Sequence, residues 1–305
     1  MRPLLTTLLL TTLSLLPHWT HAASADDASA PRQTTPQVKA TWLGGPTLLV
    51  EFNGFRFITD PMLGEGEQAF VMGDPNEDFD LATGPQIKHH RRLTPLPPVD
   101  LSDLQLILLS HAHEDHFDQE AQRRLSPALP LITPAHDLQN LYDKGFQQAQ
   151  SLAWGESRSF AAGAGEITIT AVPAHHSNQT DIAQLLGQGN GYWIEFKEQN
   201  WRKTLYWTGD TLPTPALLNA LRPYGQPDVM IPHLGRVGTP GPLGQISMGA
   251  SDVIKLADAV QPHKLLPIHH SSYALYLEPI TTLVNQSVGQ AFALDLISEG
   301  TTVAY

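Results

Sequence analysis

Residues 111–116 read His-Ala-His-Glu-Asp-His and follow directly on the apolar run Leu106, Ile107, Leu108 and Leu109. Imidazole and carboxylate are the donors that suit zinc, iron or manganese, and a chain without cysteine must build any metal site from nitrogen and oxygen. His111 and His113 are two residues apart and Asp115 and His116 are adjacent, so a regular strand or helix would scatter them over different faces. A tight loop can turn all four towards one point. Four such ligands exceed what one ion needs beside an open position, which predicts two ions. The chemistry this supports is hydrolysis, in which divalent cations lower the pKa of a water towards ~7 and polarise the carbonyl or phosphoryl group it attacks.

The elements that must hold these residues follow from the apolar pattern. Residues 106–109 read as a short buried strand and 110–118 as the loop leaving its end, with a helix from Gln119 to about Leu125. The arrangement then recurs. Apolar strands at 167–172, 204–207, 229–231 and 264–268 run out into His175 and His176, Asp210, His233, and His269 and His270. With 106–109, that makes five strands ending in histidine or aspartate, the pattern of a sheet whose strand ends form a site. Upstream, 39–42, 47–52 and 55–59 read as strands, with Asn53-Gly54 a hairpin turn. Helices at 137–144 and 250–260 alternate with strands, which gives an α/β chain, and 292–305 reads as a terminal strand region. Residues 62–99 lack periodicity and read as a wall or lid beside the site, with Phe70, Met72 and Phe79 as candidate substrate contacts. The basic cluster His89, His90, Arg91 and Arg92 reads as a solvated turn.

At 305 residues and 41% hydrophobic content the chain supports one large domain, assigned to 38–305. Arg2, the apolar run 4–16 and small residues at 20–25 predict a signal peptide over 1–25, and hence a secreted or periplasmic protein. The apolar run is shorter than a bilayer span, so no membrane span is expected after cleavage. Residues 26–37 read as a disordered leader. The net charge of −12, from 18 basic and 30 acidic residues, argues against nucleic acid as a partner.

With His111, His113, Asp115 and His116 in a His-x-His-x-Asp-His motif, the chain resembles the metallo-β-lactamase-fold hydrolases. Its opening from Ala40 to Val50, the Ile58-Thr-Asp-Pro61 segment and Thr208-Gly-Asp-Thr211 are similar to the branch containing N-acyl-phosphatidylethanolamine phospholipase D and the ascorbate-6-phosphate lactonases. The resemblance covers 40–270. It implies an αβ/βα four-layer sandwich, two face-to-face mixed sheets with helices outside. It also implies a ligand set: His111, His113 and His176 for one ion, Asp115, His116 and His269 for the other, and Asp210 bridging. His176 is preferred to His175 because Pro173-Ala-His-His matches Pro-x-x-His, and His269 to His270 because Pro267-Ile-His matches Pro-Ile-His. Asp60 is either a turn residue or the acceptor that orients a ligating histidine. Asp115 would orient the attacking hydroxide and take its proton. His233 is either a proton donor or substrate contact near the second ion, or a structural histidine.

The resemblance thus implies an exported hydrolase with two divalent ions, zinc first and manganese or iron as alternatives. Its reaction would cleave an ester-type bond, lactone or phosphodiester, in a small or lipid-derived substrate. Diiron oxidoreductase chemistry and β-lactam hydrolysis are the alternatives on the same fold.

Overall fold

The computed structural model describes residues 35–305; the signal reading for 1–25 and nearly all of the leader reading for 26–37 lie outside the described residues. The first sheet begins as a meander of β1 (Lys39–Gly44), β2 (Thr47–Phe52) and β3 (Phe55–Thr59). Asn53 and Gly54 take φ of 48° and 83°, the left-handed pair that a two-residue hairpin turn of matching twist requires. A separate ribbon pairs β4 (Phe70–Gly73) with β5 (Ile87–His90). The chain then adds β6 (Leu106–Leu108) parallel to β3, followed by α1 (Gln119–Arg124), β7 (Leu131–Thr133), α2 (Leu138–Asp143) and β8 (Ala149–Ser151).

The second sheet starts with four antiparallel strands, β9 (Ser157–Ala162), β10 (Gly165–Ala174), β11 (Gly189–Glu198) and β12 (Trp201–Trp207), with α3 (Thr180–Leu186) between β10 and β11. Parallel strands continue it through α4 (Pro215–Leu221), β13 (Val229–Ile231), α5 (Ala250–Val260), β14 (Lys264–Leu265), α6 (Thr281–Gln286) and β15 (Ala293–Leu294). Last, β16 (Thr302–Ala304) returns to pair antiparallel with β1. The sheets are β16-β1-β2-β3-β6-β7-β8 and β15-β14-β13-β12-β11-β10-β9, so both are mixed.

Alternation sorts the side chains into layers. Leu48, Val50 and Phe52 on β2 meet Ile167, Ile169 and Ala171 on β10 in the core between the sheets. The intervening Thr168 and Thr170 are hydrogen-bonded to Ser159 and Ser157 on the neighbouring strand. In the parallel halves both faces are covered, so successive residues are all apolar: Leu106 and Leu108 face the partner sheet while Ile107 packs under the helices with Ala121 and Leu141. Helix α5 buries Ala250, Val253, Leu256, Ala257 and Val260, one face at helical spacing, against Met230 and Leu265. Helix, sheet, sheet, helix is the expected sandwich.

Two readings change. The strand predicted at 264–268 stops at Leu265, and Ile268 keeps only a bridge to His233, because Pro267 has no N–H to continue the ladder. The cluster at 89–92 is not a solvated turn: His89 and His90 belong to β5, and Arg92 is buried. Its guanidinium sits 2.7 Å from Glu299 and donates to the Leu43 carbonyl at 2.6 Å and the Tyr273 hydroxyl at 3.1 Å.

Candidate metal centre

Three aspartates clamp the loop after β6. Asp60, at the end of β3, accepts from the Ser110 N–H at 2.7 Å and its hydroxyl at 2.5 Å. Asp137 accepts from the Ala112 N–H at 3.0 Å. Asp118 caps α1 by accepting from the Ala121 N–H at 2.6 Å and also holds the Gly64 N–H at 2.7 Å. Burial raises the Asp118 pKa to about 6 against these hydrogen bonds. Between the clamps, the His113 carbonyl accepts the N–H groups of His116 and Phe117, a turn that aims His111, His113, Asp115 and His116 the same way.

Three further strand ends converge on that turn. The ligand atoms fall into groups lying within 4.8 Å of one another: His111 with His113 and His176; His111 with Asp115 and His116; and His116 with Asp210, His233 and His269. The imidazoles are oriented from behind. Nδ1 of His176 donates to the Ile246 carbonyl at 3.1 Å and that of His269 to the Leu234 carbonyl at 2.8 Å. Nδ1 of His116 meets Asp60 at 2.7 Å, and that of His111 the Ser110 hydroxyl at 3.0 Å. Because a carbonyl only accepts, His176 and His269 carry their proton on Nδ1 and present an Nε2 lone pair. The Nε2 atoms of His111, His116, His176 and His269 are all buried without a hydrogen-bond partner. Four buried ring nitrogens without partners, gathered around two carboxylates, are costly unless a cation joins them, so the residues fit metal ions.

The electrostatics agree. Burial pushes His176 down to about 4 and His269 to about 3, and burial together with the neighbouring imidazoles takes His111 well below its ordinary range, so these are neutral donors. At His116 burial is outweighed by Asp210, Asp60 and Asp115, which hold its pKa well above the ordinary value. Asp210 is buried too, yet His269 and His116 keep its carboxyl well below the usual range. Its Oδ2 lies 3.5 Å from His116 Nε2, and its Oδ1 3.9 Å from His269 Nε2.

His233 stands behind Asp210. It is fully buried, and the Trp207 indole N–H donates to its Nε2 at 2.7 Å. An indole only donates, so Nδ1 carries the proton and gives it to Asp210 Oδ1 at 2.9 Å. Both nitrogens are engaged, which leaves His233 neither a metal ligand nor a proton donor to substrate; it positions Asp210. His175 turns aside against Trp154, and His270 packs on Trp42 with Nδ1 at 2.8 Å from the Ser271 hydroxyl.

A cavity of about 240 Å³ opens over His111, His113, His176, Asp115 and Asp210. Met72 and Phe79 line it, as expected of the 62–99 segment. Phe70 does not; it is buried and stacked on His90 at 4.7 Å. His116, His233 and His269 lie behind the cavity, fully buried. Sequence reading missed Trp207, Ser110 and the Leu234 and Ile246 carbonyls; of these, only Trp207 left a trace, directly before the Thr208-Gly-Asp segment.

Comparison with known proteins gives the family. The family model described as the β-lactamase superfamily domain matches residues 56–270, and the chain belongs to that superfamily, as a metal-dependent hydrolase. It is 29% identical over 267 residues to N-acyl-phosphatidylethanolamine-hydrolyzing phospholipase D 1 of Caenorhabditis elegans, covering 79% of this chain and 67% of that one. It is 27% identical over 177 residues to a UPF0173 metal-dependent hydrolase of Pyrococcus horikoshii, covering 58% and 71%. Among solved structures, an isothiocyanate hydrolase from Delia radicum gut bacteria shares the fold, with a TM-score of 0.70, 24% identity, and coverage of 88% of this chain and 99% of that one.

Proposed function

We propose that the protein is an exported hydrolase that cleaves an ester-type bond, lactone or phosphodiester, with two divalent ions, zinc by preference, held in two cups that share Asp210. The observation that carries this reading is the set of four buried Nε2 atoms without partners. His111, His113 and His176 would form one cup, open to the cavity; Asp115, His116 and His269 would form the other, with Asp210 between them. Ions bound there supply Lewis acidity and lower the pKa of water.

The chain's own residues do the rest. Asp115, whose carboxylate lines the cavity, orients the attacking water and accepts its proton. Asp60 and the Leu234 and Ile246 carbonyls fix the imidazoles of His116, His269 and His176, and the Trp207–His233 pair fixes Asp210. The apolar walls exclude competing water. The nematode relative, named for a phospholipid diester, supports an ester-type bond.

Metal analysis by mass spectrometry, with a panel of chromogenic diesters, lactones and a β-lactam, tests the reading. Two equivalents of zinc and turnover of a diester or lactone are expected; undiminished turnover after metal depletion would refute it, and two equivalents of iron would favour the diiron alternative. Export rests on the apolar run 4–16 behind Arg2, and N-terminal sequencing of the mature protein should start just after residue 22 or 25. Among the described residues, no helix is long and apolar enough to cross a membrane.

A further inference from the structure

The cavity above the open cup has a composition that the hydrolase reading does not require. Apart from the histidines and aspartates of its floor, its walls are almost wholly apolar: Met72, Phe79 and Leu81 from the segment carrying β4 and β5, Leu186 from α3, and Leu243 and Ile246 opposite. Among the described residues, no lysine or arginine lines it. Among the same residues the one ionisable side chain outside the floor is Glu114, an acid already paired with Lys144 at 3.5 Å. Any carboxylate or phosphate carried away from the scissile bond would lose its water against leucine and phenylalanine with no cation to replace it, beside an acid and in a chain of net charge −12.

Size narrows the class further. The 240 Å³ cavity falls below the ~300 Å³ at which drug-sized pockets begin. At the mouth, Leu81 and Leu185 are 43% and 57% exposed, so the apolar track continues outward past the cavity and a longer hydrocarbon tail would leave along it.

We infer that the substrate is a small ester-type molecule, apolar and uncharged everywhere except at the bond that is cleaved. This rests on the hydrolase reading for the chemistry and on the cavity for the selectivity, so the two are tested separately. Hexanohydroxamic acid and adipic acid monohydroxamate share a metal-chelating head and a chain length and differ only in the terminal carboxylate. Calorimetric titration of each into the full-length, metal-loaded protein should show the alkyl compound binding at least ~10-fold tighter, and Leu186→Lys should abolish or reverse that preference. Equal or tighter binding of the adipate by the unaltered protein, no binding of either, or an unchanged ratio in Leu186→Lys would overturn the inference. Turnover of the matched aryl hexanoate and aryl adipate monoester reports on the hydrolase reading independently. Alkyl preference in binding without turnover of any ester would sink that reading and leave the selectivity standing.

Discussion

The two cups are built from the same residue types, but one faces a cavity and the other faces protein. His111, His113 and His176 look into an apolar vestibule, and His113 is partly exposed. His116 and His269 are fully buried, and behind them come Asp60, the Leu234 carbonyl and the Trp207–His233 pair. Exposure therefore divides the labour: the open cup is where a substrate can arrive, and the closed cup is where orientation is enforced. Asp210 lies at the boundary, since it lines the cavity and also touches His233 and lies beside His116; Asp115 lines the cavity as well.

The division breaks most visibly at the shared residue. Asp210→Ala should lose both ions, measured by mass spectrometry of the dialysed protein, and slow hydrolysis by at least ~10³-fold, about 4 kcal/mol of barrier. Retention of one ion would assign the carboxylate to a single cup.

Acid should act next most strongly. Burial holds His176 at about 4, His269 at about 3 and His270 at about 4 in the folded protein, below the ~6.5 of an unfolded histidine. Between those values the unfolded chain binds protons that the folded one refuses, so the contribution of these three histidines is full above pH 6.5 and falls as pH drops through that window. Each histidine contributes a slope of up to about 1.4 kcal/mol per pH unit, to be read from urea unfolding of metal-free protein at pH 7, 6 and 5. His270→Gln, which touches neither cup, should remove one share of the slope and leave metal binding intact.

Single ligand deletions should then separate the cups. His113→Ala should cost an ion and almost no stability of the metal-free fold, whereas His269→Ala also strands the Leu234 carbonyl and should lower stability by about 1–3 kcal/mol in the same urea assay. Equal stability losses would erase the distinction between open and closed. The smallest effect is expected at Trp207→Phe, which keeps an aromatic ring against Tyr192 but removes the donor that fixes the His233 tautomer. Metal affinity, read by competition with a chelator, should fall about 10–100-fold, because the pair positions the Asp210 that both cups share.

The ligands of this arrangement were more legible in the sequence than the groups that orient them. His111 and His113 of the open cup and Asp115 and His116 of the closed one fall within residues 111–116, where a loop after an apolar strand leaves few alternatives, and the 47–59 hairpin is announced by Asn53-Gly54. The orienting groups include backbone carbonyls at 234, behind His269, and at 246, behind His176, which carry no residue signature, and an indole 26 residues away in sequence from the imidazole it locks. Burial of Arg92 was invisible for the same reason: its partner Glu299 lies 207 residues downstream, and a run of two histidines and two arginines looks solvated until that partner is known. The β4–β5 ribbon was missed because its strands are only four residues each and are separated by a stretch rich in glycine, proline and aspartate.

The last strand, β16, closes the first sheet on β1, and Glu299 just before it reaches both Arg92 and Ser272, whose hydroxyl accepts the Gly45 N–H while the Gly45 carbonyl holds the His269 N–H. The far end of the first sheet therefore helps to seat His269, through a relay of Glu299, Ser272 and Gly45 that joins the outermost strand to a ligand in the second sheet's edge.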